Sequence, residues 1–116
     1  MRDLALQIAG ALAIVVAIVH GAIAELRVFP EVHIESRRNQ RLFRIVWQAS
    51  TIDWICIGML LIAAPALGSE TARRWIIAAA VVAYGYAAIG NAVASRGRHI
   101  GWCLMGLVVW LSLIGL

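Results

Sequence analysis

Charge in this chain is segregated from four long apolar runs, and no other feature constrains the fold as much. The runs are Leu4–Ala24, Ile45–Leu67, Trp75–Ala94 and Ile100–Leu116. All ten basic residues, every one an arginine, lie outside them, as do five of the six acids; Asp53 is the exception. Each run is close to the ~20 residues that carry a helix across ~30 Å of hydrocarbon, the last being the shortest. A charge in hydrocarbon is costly, so a bilayer demands this arrangement. Backbone polar groups in lipid must be paired within their own segment, which predicts helices for all four runs.

Composition points the same way. The chain is 63% apolar and 14% charged, against roughly 25% charged in an ordinary soluble domain. Mean hydropathy is +0.88. These values exclude a secreted mini-protein, a disordered tail and an ordinary soluble enzyme domain. A pI near 10.0 would suggest nucleic acid for a soluble protein. Here the arginines sit in short segments between apolar runs, where they set orientation and meet anionic headgroups. The expected partner is therefore the lipid bilayer and not nucleic acid. Ala22 and Ala24 resemble a signal-peptidase site, but the first run exceeds the ~7–15 residues of a secretory core, so it reads as a retained span. Cys56 and Cys103 fall inside apolar runs without metal-ligand spacing and read as small hydrophobes.

The connections at 68–74 and 95–99 are short enough to force antiparallel neighbours. The expected fold is all-α: one domain over residues 1–116, a transmembrane up-down-up-down four-helix bundle. The longer connection, 25–44, contains Pro30, and Glu31–Arg44 reads as a short interfacial helix. Pro65 should kink or end the second helix. The first and third connections carry seven arginines (Arg27, Arg37, Arg38, Arg41, Arg44, Arg96 and Arg98), against three (Arg2, Arg73 and Arg74) on the opposite side. The positive-inside rule then places both termini outside the cytoplasm of a bacterial inner membrane.

Small residues recur every fourth position in the first run, at Ala5, Ala9, Ala13, Ala17 and Gly21, and in the third at Ala79, Ala83 and Ala87. Gly97 and Gly101 form a GxxxG at the start of the fourth. Such stripes let backbones approach closely, and packing within the chain is favoured over a homo-oligomer face. In the second run Trp47, Ser50, Thr51, Trp54 and Gly58 share one face that points inward.

Counting inward from the arginine-rich interface places His20, Gln48 with Thr51, Asn91 and Trp102 in one layer, roughly 6–8 Å deep. Two readings stay open: a hydrogen-bonded layer that fixes helix register, or a small site open to the cytoplasmic side. Asp53 lies deeper, about 13 Å in. Tyr84 and Tyr86 reach similar depth and are its expected partners. Glu25, at the end of the first helix, is expected to contact Arg27, Arg41 or Arg44.

The segment from His20 to Arg27, with Arg44, Trp47, Gln48, Thr51 and Trp54, resembles a group of small bacterial four-helix membrane proteins of unknown function. In that group the first helix ends in an H-S-x-x-G-E-R-like motif, and the second opens with R-x-x-W-H-x-[ST]-[ST]-x-x-W. The likeness covers about residues 15–60. It carries over His20, Glu25, Arg27, Arg44, Trp47, Thr51 and Trp54, and implies fold and membrane location without an activity. This chain departs from the pattern at Gly21, Ala24 and Gln48, the last replacing a histidine, which weakens any bis-histidine metal or haem site.

No nucleophile–base pair, phosphate loop or carboxylate dyad stands out, so no catalytic residue, metal site or cofactor is expected. The leading reading is a small multi-pass membrane protein, either structural, accessory to a larger membrane complex, or binding a small ligand. The alternatives are a proton-coupled transporter using Asp53 and a haem or quinone module using His20.

Overall fold

A computed structural model describes residues 1–116, and the chain is all-helical. Helix α1 spans Arg2–Ile23, widens into a π turn over Ala24–Val28, and ends with Phe29–Glu31. Helix α2 spans Arg37–Ala63 and tightens into a 3₁₀ turn, Ala64–Leu67. Helix α3 spans Glu70–Ser95 and α4 spans Gly101–Ile114. Arg2–Glu31, Arg37–Leu67 and Glu70–Ser95 are long and apolar enough to cross a membrane. With 14 residues, α4 is shorter, about 21 Å at 1.5 Å per residue.

The first connection is much shorter than expected. Residues read as an interfacial helix, Glu31–Arg44, instead extend the two neighbouring helices. Ser36 starts α2 because its hydroxyl accepts from the Asn39 N–H at 3.4 Å, satisfying one of the donors a helix start leaves free. The widened turn in α1 lies just before Pro30, whose ring must clear the carbonyl of Leu26. The third helix likewise begins earlier than Trp75, because Ser69 accepts from the Ala72 N–H at 3.2 Å. Pro65 stands where α2 stops being α-helical. At the end of α3, Arg96 and Gly97 take positive φ angles of 52° and 73°. Gly97 therefore belongs to the turn, and the expected GxxxG is not a helix face.

Close approach of α1 and α2 depends on two glycines. A Cβ on Gly10 would strike the Gly58 carbonyl, and one on Gly58 would lie 2.7 Å from Ile14 Cγ1 and 2.8 Å from the Gly10 carbonyl. The stripe Ala5, Ala9, Ala13, Ala17 and Gly21 is buried along the same helix. Besides α2, α1 packs on α4, which also packs on α3; the α2–α3 contact is thinner. Leu6, Ala9, Leu61, Ala64, Ile77 and Ala80 form one apolar cluster. Ala13, Val16, Tyr84, Met105 and Val108 form a second.

Charged groups tie the helices together at both ends. At one, the buried Arg73 guanidinium binds Asp3 and donates to the Gly115 carbonyl at 3.2 Å, while Arg2 reaches Glu70 at 3.2 Å. This joins the starts of α1 and α3 to the end of α4. At the other, Arg44 near the start of α2 grips Glu25 beyond the end of α1. Between the ends the outer faces are apolar, with Leu4, Val15, Ile45, Ile52, Val82, Val93 and Trp110 all exposed.

Candidate functional site

The polar groups near the Glu25 end divide into a latch and a cleft. The latch holds the π turn of α1 against α2. Glu25 accepts from Gln48 Nε2 at 2.8 Å, from Arg44 Nε at 3.1 Å and from a second Arg44 nitrogen. Gln48 also lies 3.3 Å from the Gly21 carbonyl. Thr51 is buried over Gly21, where a Cβ would come within 2.9 Å of its methyl. Arg44 sits 5.6 Å from the centre of the Phe29 ring, which meets Phe43 and Trp47 edge-on. A carboxylate accepting a forked guanidinium and an amide is strongly directional, so it fixes where the end of α1 lies on α2. Arg27 is exposed and takes no part.

His20 lies between two indoles of α2. Its ring is 4.9 Å from Trp47 at an interplanar angle of 9°, and 4.6 Å from Trp54 at 35°. Trp54 in turn rests on Tyr84, 5.2 Å away. Ser50 Oγ donates to the Trp47 carbonyl at 2.6 Å and lies 3.4 Å from His20 Nε2. With its only hydrogen committed to the carbonyl, Ser50 can serve His20 only as an acceptor. That selects the Nε2–H tautomer and leaves Nδ1 as an acceptor.

On its other side His20 borders a cleft of about 550 Å³, bounded by the second half of α1, the end of α3 and the start of α4. Most of the lining is apolar, including Leu12, Val16, Val19, Leu104 and Met105; the polar members are His20, Asn91, Ser95 and His99, with the Trp47 indole. Three buried side-chain polar atoms in the protein lack a hydrogen-bond partner: Trp47 Nε1, Asn91 Oδ1 and Ser95 Oγ. All three belong to residues that line this cleft. Buried polar atoms are nearly always paired, so three orphans around one cavity mark it out. His99 is partly committed, since Nδ1 accepts from the Gly101 N–H at 3.0 Å. No group of three His, Cys, Asp or Glu side chains converges anywhere in the chain.

The structure thus brings His20 and Asn91 to one cleft and gives Gln48 and Thr51 to the latch. Trp102 joins neither, because it is exposed on the first turn of α4 and donates to the Gly97 carbonyl at 3.1 Å. The expected pairing of Asp53 with Tyr84 or Tyr86 is not formed. Tyr84 is fully buried and donates to the Ala13 carbonyl at 3.0 Å, with the Trp54 carbonyl 3.3 Å away. Tyr86 is 83% exposed. Asp53 lies on the outer side of α2, in a shallow groove beside Cys56, Leu60 and Ala83. Two tyrosines two residues apart on a helix point to nearly opposite sides, so one had to face outward. Sequence reasoning missed Ser50, Ser95 and His99. Ser95 carried a signal, since it follows Asn91 by four residues and shares its face.

Comparisons with protein-family models, with curated proteins and with solved structures find no match to this chain.

Proposed function

We propose that this chain is a four-pass integral membrane protein of the bacterial inner membrane, akin to the small four-helix group it resembles, and that it binds a small ligand in the cleft beside His20. The convergence of the three unpartnered atoms, Trp47 Nε1, Asn91 Oδ1 and Ser95 Oγ, on one largely apolar cavity carries this reading. Ligand sites are commonly cavities of ~300–1,000 Å³ with apolar walls and a few convergent polar groups. An exposed apolar girdle between two charged ends supports the membrane setting. The pairings of helix ends through Arg73 and Arg44 support an up-down-up-down path. The arginine excess near residues 27–44 and 96–98 supports placing that end in the cytoplasm and both termini outside.

The test is solvent extraction of the detergent-purified protein followed by mass spectrometry. The wild-type chain should carry a small molecule that Ala94→Trp, which fills the cleft, loses while remaining folded. Identical extracts from the two would overturn the reading.

A redox role keeps one supporting observation, that His20 and His99 border the same cleft. A Soret band in the purified protein would favour haem at this site. Proton coupling through Asp53 gains no such support, because Asp53 lies outside the cleft.

A further inference from the structure

The lining of the cleft narrows what it can hold. No aspartate, glutamate or arginine borders it, so a charged head would lose its hydration without gaining a counter-ion. The orphaned polar atoms add a second constraint. An indole N–H can only donate, and an amide oxygen can only accept; a serine hydroxyl does either. A molecule that satisfies Trp47 Nε1 and Asn91 Oδ1 together needs an acceptor oxygen and a donor hydroxyl close to each other. The remaining wall is hydrocarbon. Val16 and Leu12 lie about one and two turns along α1 from His20, a path of roughly 12 Å. The rim at Val15, Val19 and Ile100 is exposed on the flank of the bundle, so the cleft opens sideways.

We infer that the cleft takes a single-chain amphiphile whose uncharged head carries both a hydroxyl and an acceptor oxygen, with Trp47, Asn91 and Ser95 binding the head and α1 lining the tail. This rests on the ligand-binding reading above. A glycerol monoester and a hydroquinone with a hydrocarbon tail share that chemistry. The tail reaches the cleft laterally from the bilayer, without crossing the arginine-rich surface.

The full chain in detergent is titrated with 1-monooleoylglycerol, a hexadecyl hydroquinone, the corresponding quinone and oleate, with bound ligand counted by native mass spectrometry. At least one hydroxyl-bearing probe should bind, and the tighter of the two names the source. Oleate, and the quinone with its acceptors alone, should bind at least about 10-fold more weakly, the factor expected from an unmet buried polar group. Trp47→Phe and Asn91→Leu should each weaken the preferred probe by about 3–10-fold. Ala94→Trp should abolish binding, and Asp53→Asn should leave it unchanged; circular dichroism checks that each variant is folded. If oleate or the quinone binds best and Ala94→Trp blocks it, the head chemistry proposed here is wrong while the cleft remains a ligand site. If no probe binds and the solvent extracts of wild type and Ala94→Trp are identical, both readings fall.

Discussion

The imidazole of His20 lies nearly parallel to the indole of Trp47, 9° apart in plane and 4.9 Å between centroids, with Trp54 closing its other side. This one side chain of α1 therefore registers the inward face of α2 and forms a wall of the cleft. His20→Ala should lower stability by about 2–4 kcal/mol, combining a lost ring stack with a core cavity. His20→Phe keeps a ring in the slot and should cost under about 1.5 kcal/mol. Denaturant titration in mixed micelles measures both, and equal stability of the two variants would remove the stacking argument.

Gly58 sets how closely α1 and α2 approach, since a Cβ there meets both the Gly10 carbonyl and Ile14. Gly58→Val should destabilise the fold by about 1–3 kcal/mol through overpacking. Gly85 has open space around its Cα, so Gly85→Ala, which adds helix propensity, should be neutral or stabilising by up to about 1 kcal/mol. Thermal unfolding of the two side by side tests the assignment, and equal effects would contradict it.

Asp53 has no hydrogen-bond partner within the chain and lies on the outer side of α2. Asp53→Leu should therefore leave monomer stability unchanged or raise it, because it removes a polar group from a surface facing hydrocarbon. A loss above about 1 kcal/mol would show that the carboxyl is tied within the bundle after all.

The height of each polar residue along the helices was legible in the sequence, whereas its direction around the helix often was not. Counting from the arginines put His20, Gln48, Asn91 and Trp102 at one depth. Trp102 nevertheless points outward from the first turn of α4. The direction of α2 could be read, because Thr51 and Gly58 are buried and Trp47, Ser50 and Trp54 half-buried on a shared face. Local capping by Ser36 and Ser69 moved two helix starts outward from the apolar runs. Hydropathy is blind to such caps, since the residues they add are polar. The cleft itself was hidden, because it depends on how far three helices separate at one end.

Topology has a direct chemical readout. Cys56 and Cys103 are both free and exposed, so they are first replaced by alanine. Single cysteines at His33 and at Ser69, both exposed, then report on opposite ends of the bundle. A membrane-impermeant maleimide added to intact cells, with the outer membrane permeabilised, should label position 69 and spare position 33. The reverse pattern would invert the proposed orientation.

A structure of the full chain in a lipid nanodisc, at a resolution that shows bound amphiphiles, tests the ligand cleft most directly. The account predicts non-protein density between α1, α3 and α4, about 2.7–3.2 Å from at least two of Trp47 Nε1, Asn91 Oδ1 and Ser95 Oγ. A cleft closed by helix movement, with those three atoms bonded to other protein groups, would contradict it.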